Sequence, residues 1–118
     1  WRDQSGPMVG VIPAHTKVLD RTVGRGCVQR RVRSDHPWTA VRENAGSLIP
    51  AHEFHHSSLE PVDADWPTAF TVERGHGLDG GRDGIHIYNL LAGYAHQRHV
   101  QANPWVDAFV DFVHEHRK

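Results

Sequence analysis

Apolar and polar residues alternate along most of this chain, and only its last segment changes to a helical period. Lys17–Thr22, Cys27–Arg33 and Thr68–Glu73 carry the period-2 pattern of strands with one face buried. Short apolar runs at Met8–Ile12, stopped by Pro13, and at Ile85–Tyr88 and Leu90–Tyr94 predict further, more deeply buried strands. Trp38–Arg42 and Ala51–Leu59, the latter ending at Glu60-Pro61, complete the strand set. Gly24-Arg25-Gly26 carries turn chemistry and predicts a hairpin between the strands on either side of it. Asp35-His36-Pro37 and Asn44–Ser47 read as turns, Trp1–Gly6 as a loose polar lead-in, and Gly75–Gly84, with five glycines, as a loop. At the end of the chain Asn103 can cap a helix and Pro104 suits its first position. Trp105, Val106, Phe109, Val110, Phe112 and Val113 then follow at helical spacing, and His114, His116, Arg117 and Lys118 fall at the negative end of the helix dipole. The pattern predicts six to eight short strands and one terminal helix, with no internal repeat.

The 118 residues are enough for one domain. The chain has no apolar run near the ~20 residues that a bilayer span takes. A net charge of −1 gives no electrostatic case for nucleic acid or an anionic membrane. Arg30-Arg31-Val32-Arg33 is locally basic but reads as the wet face of a strand. One cysteine makes no internal disulfide, and no signal-peptide pattern is visible, so a cytoplasmic location is expected. The sequence opens on Trp1 rather than Met and is expected to be a piece of something longer. Eleven histidines bring metal and acid–base chemistry into view without deciding between them.

Three places could carry chemistry. His52-Glu53-Phe54-His55-His56 matches H-E-x-x-H, but that zinc site works on a helix, where i and i+4 share a face. Here Pro50 precedes it, Ser57-Ser58 and Pro61 follow, and on a strand His52 and His56 lie roughly 13 Å apart. No metal is expected at this run. His96-Gln97-Arg98-His99 ends an apolar segment abruptly, where a strand leaves the core, and His96 is a candidate general base. Cys27 lacks the G-x-C-x-G strand-to-helix elbow and reads as a small buried residue. Trp38, Trp66 and Trp105 read as core or cap, and no G-x-x-x-x-G-K-[ST] phosphate loop occurs.

These pieces, in this order, resemble one family. His52–Leu59 is similar to the G-H-E-F-H-Y-S-x-L block of cobyrinic acid a,c-diamide synthases. Met8–Pro13 resembles their M-x-G-V-L-P strand, Asp20–Arg25 their R-L-x-L-G-Y-R segment and Pro67–Phe70 their P-A-F or P-A-Y strand. Asn89–His96 resembles N-V-L-A-S-Y-L-H, and Ala102-Asn103-Pro104 the A-S-N-P that follows. The resemblance implies an α/β fold: the strand-rich C-terminal portion of a three-layer class I glutamine amidotransferase-like domain, with residues 1–118 a partial domain ending in one helix. It implies His96 as the catalytic histidine, with His52, Glu53 and His55 as a substrate-binding or structural motif. It also implies an upstream elbow cysteine, an N-terminal domain using ATP and Mg, glutamine and a tetrapyrrole carboxylate as substrates, and no cofactor on these residues. Arg98 stands where the family has a second histidine and His56 where it has tyrosine, which fits a divergent member and leaves the tetrapyrrole open. A non-catalytic binding module, a histidine-rich metal binder and a homodimer stay open as alternatives.

Overall fold

The computed structural model describes residues 4–61 and 66–118. The first three residues of the expected polar lead-in lie outside that range. Seven strands and two helices are formed among the described residues: β1 (Ala14–Val18), β2 (Gly24–Val32), α1 (Thr39–Arg42), β3 (Leu48–His55), β4 (Ser57–Pro61), β5 (Thr68–Arg74), β6 (Arg82–Ile87), β7 (Leu90–Ala92) and α2 (Trp105–Glu115). The molecule is strand-rich with one main C-terminal helix, as the periodicity predicts.

Five strands make one antiparallel sheet in the order β3-β2-β5-β6-β7, and β1 pairs with β4 in a separate antiparallel ribbon. The sheet curls, because the chain leaving β7 returns to the far edge strand: His52 and His96 pair across the gap. Val32, Ile49, Ala69 and Phe70 form its apolar centre. Trp38 packs on Ala108 and Phe112 of α2, with Val41 and Leu91 touching both groups. Trp66, Leu78 and Ile85 form a third cluster, packed with Ala14 and Leu59 from the ribbon.

Several expectations need correction. Met8–Ile12 is not a strand; Met8 and Val9 are exposed, and Gly10 takes a φ of +80°. Only Ile12 at the end of the run is partly covered, packing against the cluster of Trp66, Leu78 and Ile85. The expected hairpin at Gly24–Gly26 does not exist: these residues belong to β2, and β1 pairs with β4 instead. Trp38–Arg42 contains the short helix α1 rather than a strand. Ala51–Leu59 is broken at His56 into β3 and β4, which belong to different sheets. The glycine-rich segment turns into β6 at Arg82, so Gly84 lies in a strand. Asn103 does not cap α2: Pro104 is the N-cap, and the Nδ2 of Asn103 donates to Gln97 Oε1 at 3.3 Å. His99 serves the helix instead, its Nδ1 accepting the Val106 N–H at 3.4 Å. Of the basic run, Arg31 and Arg33 meet acidic partners outside, but Arg30 is buried against Asp83.

Gly24 shows why its side chain is a single hydrogen. A Cβ there would lie 2.6 Å from His55 Cδ2 and 2.7 Å from Glu53 Cδ, both in buried, hydrogen-bonded side chains. Gly24→Ala is expected to cost about 3 kcal/mol, the upper range for overpacking, because neither neighbour can turn aside without losing a partner. Chemical denaturation of the variant and the parent checks it; equal midpoints would refute it.

His36 gives the fold a pH dependence. It is fully buried, its Nδ1 accepts the Trp38 N–H, and it meets the Trp38 and Phe70 rings edge-on. Burial pushes its pKa down from 6.5 to about 4. The folded value is the lower one, so this contribution is fully present above pH 6.5 and is lost as pH falls towards 4. By linkage the loss amounts to about 3 kcal/mol. Burial of His86 acts in the same direction. Urea midpoints measured from pH 7.5 down to about pH 4 should fall steeply, and His36→Asn should flatten the slope. An unchanged slope in the variant would assign it elsewhere.

Candidate functional site around His96

The run His52–His55 lies on β3, so its side chains alternate between the two faces of the sheet. His52 and Phe54 point out and are exposed; Glu53 and His55 point in and are buried. The sequence-predicted site residues are therefore divided between an outer and an inner group.

The outer group centres on His96. Its backbone N–H donates to His52 O at 2.7 Å, and the His52 N–H donates to His96 O at 3.0 Å. This exchange of both bonds holds the two residues directly opposite each other, with their side chains on one face. Both residues are exposed. They open on a groove of about 490 Å³ whose apolar walls include Leu48, Pro50, Val100 and Ala102. On the other side of His52 the register places Cys27. Cys27 is exposed, not buried as its sequence context predicts, because it falls on the outward face of β2. Thiol, imidazole and imidazole thus stand in one row across three neighbouring backbones, with adjacent Cβ atoms roughly 5 Å apart. Cys27 sits inside a strand, away from any strand-to-helix turn, and so lacks the backbone N–H cradle of an acyl-transfer nucleophile. Among the described residues no group of three or more His, Cys, Asp or Glu side chains is arranged to hold a metal ion. His52 lies on β3 and His56 beyond its end, so the helical geometry of H-E-x-x-H is not formed.

The inner group is a dense polar cluster. Glu53 accepts the His76 N–H at 2.6 Å, the Gly77 N–H at 2.9 Å and the His55 Nε2 at 3.0 Å. Burial works to raise the Glu53 carboxyl, but those donors outweigh it and hold the group below its ordinary value. His55 Nδ1 lies 2.7 Å from the carbonyl of Ser57. The Tyr94 ring stacks on the His55 ring, centroids 4.1 Å apart and planes 12° from parallel. Tyr94 Oη is 2.6 Å from Ser57 Oγ, and the Tyr94 N–H donates to Asp83 Oδ1 at 3.0 Å. Asp83 in turn pairs with Arg30 at 3.0 Å, and Arg30 lies over the Phe70 ring at 4.0 Å. Burial works against the Arg30 charge and Asp83 offsets it. Tyr94, Asp83, Arg30 and His76 are the residues that sequence reasoning missed. A period-2 reading of His52–His55 could have flagged this cluster, since it puts two ionisable groups on the face opposite Phe54.

No helix among the described residues is long and apolar enough to cross a membrane. Comparison with known proteins finds a match to the CobB/CobQ-like glutamine amidotransferase domain over residues 2–104. The cobyrinate a,c-diamide synthase of Halobacterium salinarum is 38% identical over 104 residues, which cover 88% of this chain and 22% of that protein. The protein of the same name from Magnetococcus marinus is 30% identical over 98% of this chain and 24% of its own length. That from Archaeoglobus fulgidus is 41% identical over 75% of this chain and 18% of its own length. The chain thus spans about a fifth to a quarter of the curated relatives it matches. No solved structure matches. With a family model matched over most of its length, the chain belongs to the CobB/CobQ-like glutamine amidotransferase domain family.

Proposed function

We propose that this chain is the histidine-bearing part of a glutamine-hydrolysing domain, which supplies ammonia to an ATP-dependent amidoligase acting on a tetrapyrrole carboxylate. The observation that carries the reading is His96: an exposed imidazole on a firmly paired backbone, at an apolar groove. Family membership and the relatives' name, cobyrinate a,c-diamide synthase, support the reaction class.

In this reading the nucleophilic thiol is not Cys27 but a cysteine outside these residues. His96 takes the thiol proton. The thiolate attacks the side-chain amide carbon of glutamine, and the C–N bond breaks as His96 passes that proton to the departing ammonia. Water then cleaves the thioester to glutamate, with His96 again as base. The ammonia is consumed where ATP, with Mg, has activated the tetrapyrrole carboxylate. The described residues offer that step no phosphate loop, and the turn at Gly75–Gly81 is built for other partners: Glu53 on one side and Asp79 on the other.

The intact protein tests the reading when it is given cobyrinate, ATP and Mg with either glutamine or ammonia. Amidation from both nitrogen sources, with one glutamate released per amide formed from glutamine, is the expected result. Amidation from ammonia alone, with no glutamate released, would refute the glutaminase assignment.

A further inference from the structure

We propose that Tyr94, seated on the buried Glu53–His55 pair, is the positioning element that sets His96 against His52. The catalytic meaning of this rests on the glutaminase reading; the geometric claim does not.

Among the described residues no side chain hydrogen-bonds the His96 ring. What is fixed at His96 is its backbone, through the two bonds exchanged with His52, and that backbone sets where the ring starts from. Each partner of that bridge is anchored within two residues by the inner cluster. His52 is followed directly by Glu53, whose carboxylate is filled by three donors. His96 follows Tyr94 by two residues, and Tyr94 is held by its ring, its hydroxyl and its backbone N–H.

The parts between them have little freedom. The ring nitrogens of His55 lie 2.7 Å from the Ser57 carbonyl and 3.0 Å from the Glu53 carboxylate, so the ring is held on both sides and gives Tyr94 a fixed platform. Gly93 lets the chain pass over Asp83 closely enough that a Cβ would meet Oδ1 at 2.7 Å. Asp83 is itself held by Arg30. Tyr94 is thus where the Glu53–His55 pair and the Arg30–Asp83 pair both act, one through the ring and the other through the N–H. A base displaced by about 1 Å loses on the order of a hundredfold in rate, so a clamp of this kind matters to the chemistry without touching it.

The test uses the intact protein with Tyr94→Leu, Tyr94→Phe and Ser57→Ala, read by amide hydrogen exchange and by glutamine hydrolysis. Tyr94→Leu should speed exchange at the His96 amide while amides of β2 such as Val28 stay as protected as in the parent. Its kcat for glutamine should fall by about a hundredfold, with KM changed little. Tyr94→Phe keeps the ring and loses only the hydroxyl contact, so it should recover part of both, with His96 exchange still faster than in the parent. If Tyr94→Leu loosens β2 as well, Ser57→Ala decides: faster exchange confined to the His96 amide supports the clamp. Unchanged His96 exchange in Tyr94→Leu, or in Ser57→Ala where that variant decides, overturns it. Faster His96 exchange in a protein whose parent releases no glutamate would uphold the clamp and refute the glutaminase reading, so the two fail separately.

Discussion

His96→Ala in the intact protein is expected to remove glutamine-dependent amidation while leaving ammonia-dependent amidation at the parent rate. A general base commonly contributes 10²–10⁴, and the loss should be about a thousandfold in kcat with glutamine. Two features make the substitution clean. The His96 side chain is exposed, so its removal leaves no cavity. The bonds to His52 are made by backbone, so alanine keeps them. The neighbouring His52→Ala gives a useful control, since it removes the other imidazole of the pair and leaves the proposed base in place. Steady-state rates with each nitrogen source distinguish the outcomes. Loss of both activities together would make His96 structural rather than catalytic.

Asp83→Ala is expected to be the most destabilising single change, at about 4 kcal/mol. The figure follows from what it leaves behind. Arg30 and Asp83 are both almost completely buried, and Arg30 Nη1 donates to Asp83 Oδ2 at 3.0 Å. Among the described residues Nε and Nη2 of Arg30 have no hydrogen-bond partner. Removing the carboxylate therefore strands a guanidinium that cannot shed its proton. It also takes the acceptor from the Tyr94 N–H. The companion experiment is the double variant Arg30→Met with Asp83→Ala. It removes the stranded charge and should recover a large part of the loss, because an apolar replacement of a buried pair is often close to neutral. Denaturant midpoints of the two single variants, the double and the parent form the cycle. A strictly additive result would mean that the pair is not coupled.

β2, β5 and α2 were legible in the sequence as two strands and a helix. What failed was the assumption that apolar means inside. Met8 and Val9 are exposed, and α2 leaves Val106, Val110 and Val113 open to solvent. Phe54 lies outside while Glu53, His55 and Arg30 lie within, because the interior of the curled sheet holds the Arg30–Asp83 ion pair and the hydrogen-bonded Glu53–His55 pair. No window on the chain reveals this: Arg30 and Asp83 meet over 53 residues, and Ser57 meets Tyr94 over 37. Gly24 was misread for the same reason. Its local context says turn, but the constraint comes from His55, opposite it in register, and from Glu53, both about thirty residues away in sequence. Of the candidate site, His96 and the H-E-F-H run were legible as motifs. Their separation into an outer pair and an inner support was not.

The bridge between His52 and His96 also bears on the exposed edge of the sheet. β3 is the last strand on its side of the sheet, and its outer face carries the exposed apolar side chains of Leu48 and Phe54. A bare strand of that kind is a template on which a second chain can add its own backbone. Here the segment carrying His96 occupies the hydrogen-bonding groups of His52 near the middle of β3. The stretch of chain that presents the proposed base thereby also acts as an edge guard. A change that frees this stretch from β3 would uncover a nucleus for strand-to-strand aggregation as well as displacing the imidazole.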